Sequence, residues 1–182
     1  MNIGIVGSFV TAGILIISLL SLRLSLYRNA TQSALDLMCM MNVQAVSEIV
    51  EHDFTKIGYG ASADIISAAD SNQVTFLSDI NDDGTVNTVT WRYNRDVPIP
   101  STPNPNDHQL RRTVDGTVND IQLTVTSFSL DYFTATGTVT SNPDSIRQLR
   151  VVVICQAPEA YGGRYAQSSW QKTYIPINFY IE

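Results

Sequence analysis

The feature that most constrains this chain is its opening stretch, MNIGIVGSFVTAGILIISLL, in which no side chain is charged. The first charged side chain is Arg23. About 20 consecutive apolar residues, rising ~1.5 Å each in a helix, are enough to cross the hydrocarbon of a bilayer. A secretory signal peptide would carry basic residues before a shorter apolar run and a small-residue cleavage site after it. The stretch has neither, so it predicts a membrane-spanning helix.

The charges that flank this segment create a conflict over orientation. Arg23 and Arg28 follow the apolar run and nothing basic precedes it. The positive-inside rule would therefore place the remainder of the chain in the cytoplasm. That remainder is acidic and contains only two lysines, Lys56 and Lys172, a composition that we expect of an exported domain. We expect that a short basic leader ahead of Met1 has been removed; a cytoplasm-facing anchor is the alternative.

The helix is predicted to continue well beyond the membrane. Residues 14–57 contain neither Gly nor Pro, the strongest helix breakers, and would form ~65 Å of continuous helix. Past Arg28 the pattern is amphipathic, which predicts that this half packs on a sheet and ends near residue 57, before Gly58 and Gly60. The expected buried rows are Leu35, Met38, Met41, Ala45 and Ile49, and beside them Val46, Val50, Phe54 and Ile57.

The remaining two thirds of the chain has the composition of a β domain. Strands are predicted over 73–80, 85–93, 108–114, 118–132, 146–157 and 174–181, with Asp83-Gly84 as a hairpin turn. The proline-rich stretch 95–107 and the stretch 158–169 are predicted as loops. The fold class is therefore α+β, a long N-terminal helix on a mostly antiparallel sheet. Three segments follow: an apolar transmembrane helix at 1–28, its amphipathic continuation at 29–57, and a β-rich globular domain at 58–182.

Composition and motifs argue against several classes of function. A formal charge of −6 and a pI near 4.7 provide no basic field for nucleic acid, and the Arg111-Arg112 pair is predicted to be a solvated strand end. The sequence has no nucleophile elbow, phosphate loop or dinucleotide fingerprint, and its histidines, His52 and His108, lack zinc-type spacing. We therefore expect neither an enzyme nor a required cofactor.

One loop has the residue types of a metal site. Asp79, Asn81 and Asp83, followed by Gly84, place oxygen ligands at alternate positions as in a calcium loop. The acidic ligand that would normally come several residues later is absent, and a solvated hairpin turn explains the same residues. Calcium at this loop and a plain turn are both kept as hypotheses.

The two cysteines predict no framework of disulfides. Cys39 falls in the helix and Cys155 in an apolar strand, and their spacing matches no metal motif. We interpret them as small buried side chains. A disulfide between them is left open.

The whole-chain architecture, together with EHDFTKIGYG, VTFLSDINDDGTVNTVTWRY and LRR, resembles the type IV pilin-like superfamily. Within it, these motifs are similar to those of larger minor pilins and J-type pseudopilins. The resemblance implies a structural subunit of an extracellular filament, anchored in the inner membrane by a single span before assembly. Its partners would be copies of itself or other pilin-like subunits, and a dedicated peptidase would remove the basic leader. Residues 1–28 would form the filament core, where small residues allow close helix approach: Gly4, Gly7, Ala12 and Gly13.

Two departures from the family pattern leave other hypotheses open. The family usually has Glu at the fifth mature position, where this chain has Ile5, and often a Pro near position 22, where it has Leu22. Some tip subunits share the first departure, so a minor pseudopilin that primes or caps a secretion filament is the second hypothesis. A single-span anchored binding domain that never polymerises is the third.

Overall fold

The computed structural model describes residues 3–180, apart from the side chains of Ile3, Ile5 and Tyr180. Expectations that depend on Met1 as the processed start, or on the surroundings of the Ile5 side chain, fall outside the described residues. One long helix is followed by eight strands and two short 3-10 helices at Pro143–Ser145 and Ile177–Tyr180. The long elements are α1 Ile3–Thr55, β1 Ile66–Asp70, β2 Gln73–Ser78, β3 Asn87–Pro98, β4 His108–Val114, β5 Thr117–Ile121, β6 Val125–Phe133, β7 Gln148–Tyr161 and β8 Arg164–Tyr174.

The long helix is unbroken and ends where the sequence predicts. α1 runs from Ile3 to Thr55 and is followed by turns through residue 60. Gly58 and Gly60 both have φ of 76°, a left-handed conformation that glycine adopts without strain. At Gly58 an added Cβ would also lie 3.0 Å from Asn178 and Ile65, so both conformation and space require glycine there.

The strands form two antiparallel sheets. The first has five strands in the order β1-β2-β3-β4-β5, and the second has three in the order β6-β7-β8. Both are simple meanders, since each strand pairs with its neighbour along the chain. The rear half of α1 packs against β7 and β8, while β6 also contacts β3 and β4. This arrangement places one hydrophobic core between the helix and both sheets.

Aromatic rings from all three layers meet at the centre of this core. Phe54 of α1 makes edge-to-face contacts with Phe76 at 5.9 Å, Trp91 at 6.2 Å and Tyr174 at 5.6 Å between ring centroids. Trp91 stacks on Phe128 of the second sheet at 6.1 Å. Such pairs stabilise a fold by about 0.5–1.5 kcal/mol each beyond the burial of their area. The helix is thereby fixed to both sheets near residue 54.

The fold class is as predicted: one apolar N-terminal helix, its first half protruding and its second half packed on antiparallel sheet. The Asp83-Gly84 turn does join paired strands, with Ser78 opposite Asn87 and Gly84 at φ of 84°. This shape is compatible with a pilin-like protein.

Several strand predictions were wrong in detail. The stretch 158–169 is not a loop, because β7 continues to Tyr161, turns at Gly162-Gly163 and returns as β8. The stretch 118–132 is split between β5 and β6, which belong to different sheets. Strand β1 was not predicted, and residues 177–180 form a 3-10 helix instead of a closing strand. Polar residues on the exposed faces of β1 and β8 hide the apolar signal that marks a strand.

Candidate assembly surface

The front half of α1 is an apolar surface that no other described part of the chain covers. Phe9, Ile17 and Leu19 each expose 65–75% of their surface, and the most apolar 18-residue window of the helix has none of its residues buried. By length and composition this helix can span a membrane. Exposed apolar patches larger than a few hundred Å² are rare on soluble monomers and mark contacts with lipid or protein.

Three of the five serine and threonine hydroxyls in this half are satisfied inside the helix. Three hydroxyls donate to carbonyls one turn earlier: Ser8 to Gly4 at 2.9 Å, Thr11 to Gly7 at 2.7 Å and Ser18 to Ile14 at 2.9 Å. In hydrocarbon each polar group must find its partner within the protein, since water is absent. The local hydrogen bonding therefore suits an environment without water.

The predicted packing residues of this half leave room for a neighbour. An added Cβ at Gly4, Gly7 or Gly13 would meet nothing within 4 Å, and Ala12 is exposed. Packing within the chain thus gives no reason for glycine at these positions. Helical geometry places Gly4 and Gly7 about 60° apart, whereas Gly13 lies about 180° from Gly4. The small residues are therefore distributed around the helix and are not gathered into one stripe.

The apolar surface continues past residue 28, contrary to one prediction. Met38 and Met41 were expected in the core, but they expose 44% and 62% of their surface. The second predicted row, Val46, Val50, Phe54 and Ile57, is buried as expected, and Cys39 and Val43 extend it toward the amino terminus. Both rows are apolar, and the position of β7 and β8 decides which one is covered. Leu37, Met38, Met40 and Met41 prolong the uncovered surface.

A buried carboxylate fastens the rear half of the helix to the first sheet. Asp53 is fully buried and accepts two hydrogen bonds from Arg112, from Nε at 2.6 Å and from Nη2 at 2.9 Å. The indole Nε1 of Trp91 donates to the same carboxylate at 2.8 Å. On the exposed side, Lys172 of β8 pairs with Glu51. The junction therefore combines a paired buried charge with the aromatic core.

This junction was missed in the sequence. Asp53 lies in the motif EHDFTKIGYG, and Arg112 was predicted to be a solvated strand end, whereas its side chain is only 19% exposed. Its neighbour Arg111 does lie nearer solvent and pairs with Asp120 at 2.7 Å. The sequence does contain a signal for this buried pair. Asp53 follows Val50 by three residues and Val46 by seven, and this spacing places its carboxylate on the buried face of the helix. A charge there requires a partner.

The predicted calcium residues are brought together in the loop between β2 and β3. The Asp79 carboxylate accepts from the backbone N–H of Asp83 at 3.1 Å and of Gly84 at 2.8 Å. Asn81 Nδ2 donates to Asp83 at 2.8 Å, and the backbone N–H of Thr85 does so at 2.7 Å. Together these hydrogen bonds lower the pKa of Asp83, the amide of Asn81 contributing most.

The side chain of Lys56, the first residue after α1, binds this loop. Lys56 Nζ donates to the carbonyl of Ile80 at 2.9 Å and to the carboxylate of Asp82 at 2.7 Å. Across residues 3–180, no group of three or more His, Cys, Asp or Glu lies where it could hold a metal ion. Calcium binding by Asp79, Asn81 and Asp83 remains a prediction, tested in the Discussion.

Both cysteines are buried free thiols, as interpreted from the sequence. Cys39 Sγ donates to the carbonyl of Ala166 at 3.2 Å, which joins α1 to β8. Burial raises the pKa of the Cys155 thiol to about 12, and it also raises the pKa of Cys39. Neither thiol is activated as a nucleophile.

Compared with protein-family models, with curated proteins and with solved structures, the chain gives no match.

Proposed function

We propose that this protein is a structural subunit of an extracellular type IV pilin-like filament and is not an enzyme. It would be held in the inner membrane by residues 1–28 and then assembled through the same residues. One observation carries the proposal: a single continuous helix is uncovered and apolar along its first half and packed against the β domain along its second. Such a helix needs a water-free surrounding at one end while its globular domain stays in water.

The two surroundings would be lipid and copies of the same helix. In lipid, the exposed Phe, Ile and Leu side chains would contact acyl chains, and the hydroxyls of Ser8, Thr11 and Ser18 are satisfied within the helix. In the filament, neighbouring helices would cover the same side chains, and the open space at Gly4, Gly7 and Gly13 would admit their backbones. Transfer from lipid to polymer would then expose little apolar surface to water at any stage.

The β domain would form the exterior of the filament. Its partners would be other subunits rather than nucleic acid, in keeping with the formal charge of −6. The firm junction at Asp53 supports this role, because a load on the β domain would pass to the core helix through buried contacts. The resemblance in residues 50–112 to larger minor pilins points the same way.

A minor pseudopilin that primes or caps a secretion filament is the second candidate. Ile5 favours it, because the family resemblance implies that Glu at this position contacts the amino terminus of a neighbouring subunit. A subunit at the tip has no partner ahead of it and needs no such contact.

Shearing surface material from cells that make the protein tests the main proposal. We expect fibres that contain many copies of this chain along their length. The chain recovered from them should begin at its processed amino terminus. If labelling of this chain is confined to the fibre ends, the result would favour the minor pseudopilin. Recovery of the protein solely as a monomer in the membrane fraction would contradict both and favour the non-polymerising anchor.

A further inference from the structure

Three charged side chains on α1 have no ionic partner within the part of the chain that the structure describes. Arg23, Arg28 and Asp36 are the only charged side chains between residues 4 and 47. All three are exposed, and none takes part in an ion pair among residues 3–180. Asp36 accepts a hydrogen bond from Gln32 at 3.2 Å, one turn before it.

Arg23 is the charge with the most apolar surroundings. The neighbouring side chains on the helix surface are large and exposed: Leu19, Leu20, Leu22, Leu24, Leu26 and Tyr27. Arg28 precedes Asn29 and Gln32, which can keep it hydrated. When helices bundle around this region, Arg23 loses water and needs an anionic partner.

The positions of the charges select that partner. Asp36 follows Arg23 by thirteen residues, which is about 20 Å along the axis and about 140° around it. The two charges thus lie on nearly opposite sides of one helix. An interface that joins two different faces is heterologous, and it generates open helical polymers when it does not close into a ring. Arg28, by contrast, is eight residues before Asp36, about 12 Å away, and lies on the same row of the helix as Gln32 and Asp36.

We propose that Arg23 of one copy pairs with Asp36 of the next, across a parallel helix–helix contact offset by about 20 Å. This inference rests on the proposed filament function and adds its partner contact and axial offset. The pair neutralises the most deeply placed arginine of the core. It also selects one register among the many that a uniformly apolar helix would allow, as buried polar groups do in coiled coils.

Cysteine cross-linking in the full chain tests the offset. The variant with Arg23→Cys and Asp36→Cys, oxidised in the native membrane and surface fractions, should give a ladder of covalent multimers. The matched variant with Arg28→Cys and Asp36→Cys should give few. The parent chain is the control, because Cys39 and Cys155 are fully buried.

The outcomes separate the two proposals. A ladder from the Arg28 variant in place of the Arg23 variant, or dimers from Arg23→Cys alone, would show that copies associate in another register and would overturn this inference. Absence of covalent products from every variant, with the protein monomeric, would overturn the filament proposal as well.

Charge exchange gives an independent readout. Arg23→Asp or Asp36→Arg alone should lower the assembled fraction about tenfold, because a charge in the bundle is left facing a like charge. Combining the two should restore assembly. Arg28→Asp is the matched control and should change assembly less than twofold; failure of the double variant to recover would contradict the pair.

Discussion

At the scale of single residues, the carboxylates of this protein occupy three very different environments. Asp53 is buried and fully paired, Asp107 is buried and unpaired, and Asp79 closes a loop by accepting backbone N–H groups. Each environment leads to a different expectation for stability.

Removing the paired carboxylate should be costly. Asp53→Ala leaves the Arg112 guanidinium and the Trp91 N–H without their acceptor in the core, so we expect a loss of about 3–5 kcal/mol in the free energy of unfolding. The comparison is Asp120→Ala, which removes the more exposed pair with Arg111 and should cost under about 1 kcal/mol. Denaturant unfolding of the full chain in mild detergent measures both. Equal effects would contradict the structural role of Asp53.

The unpaired carboxylate should make stability depend on pH. Asp107 is fully buried, and neither of its oxygens makes a hydrogen bond of good geometry among the described residues, although the Thr102 hydroxyl lies close by. Burial raises the pKa of Asp107 more than this hydroxyl lowers it. A carboxyl whose pKa is raised in the fold stabilises it below the unfolded pKa of ~3.9, and this contribution is lost as pH rises through the folded pKa.

Asp107→Asn therefore should stabilise the protein at pH 7 by roughly 1–3 kcal/mol and have little effect at pH 3.5. The groups that face Asp107 are Thr102 and His108 nearby in the chain, Tyr93 of β3, and the two thiols Cys39 and Cys155. Thermal unfolding against pH measures the effect, with exposed Asp144→Asn as the control. A variant less stable than the parent at neutral pH would show that the ionised carboxylate is accommodated.

The calcium hypothesis is tested on the same scale. If Asp79, Asn81 and Asp83 bind calcium, chelator should lower the melting temperature of the full chain in calcium-containing buffer, by an amount set by the affinity. Asp83→Asn should abolish that difference. An unchanged melting temperature would leave these residues with the role already visible, closing the hairpin.

At the scale of elements, α1 and one of its two predicted buried rows were predictable, whereas the exposure of the Met38 row was not. Absence of Gly and Pro after Ile14 and two glycines after Ile57 are local signals, and they gave the helix and its end correctly. The choice between the Met38 row and the Cys39 row is not local, because it depends on where β7 and β8 lie. β8 escaped prediction for a related reason: a strand at a sheet edge with polar alternate residues lacks a strong periodic signal.

The candidate assembly surface likewise has one part that the local sequence predicts and one part that it does not. The uncovered apolar half of the helix follows from composition alone, since no folding partner is needed to see it. The Asp53–Arg112 pair joins residues 59 positions apart, and only the register of β4 against the helix brings them together.

A bulky residue at Gly13 should separate folding from assembly. No described residue outside the helix backbone lies within 4 Å of an added Cβ there, so Gly13→Trp should leave the unfolding of the β domain unchanged. In a bundle of closely packed helices it should reduce filament yield at least about tenfold. Phe9→Trp, at an already bulky exposed position, is the matched control, and electron microscopy of sheared material gives the yield. Normal filaments from Gly13→Trp would contradict close packing at this point.

At the scale of the whole molecule, the protein is a globular domain from which the front half of one continuous helix extends as an apolar rod. The domain has its own core, two sheets and a docked half-helix, whereas nothing among residues 3–180 covers the rod. We propose that lipid covers the rod before assembly and that other copies of the same helix cover it in the filament.

Amide hydrogen exchange of residues 4–28, measured separately on the membrane fraction and on the sheared surface fraction, tests whether lipid and other copies cover this half of the helix. We expect strong protection of these amides from exchange in both fractions. The protection should be lost when detergent and lipid are removed from isolated subunits. Equal protection in a soluble, monomeric full chain would mean that the segment is covered by its own domain, and it would contradict the filament proposal.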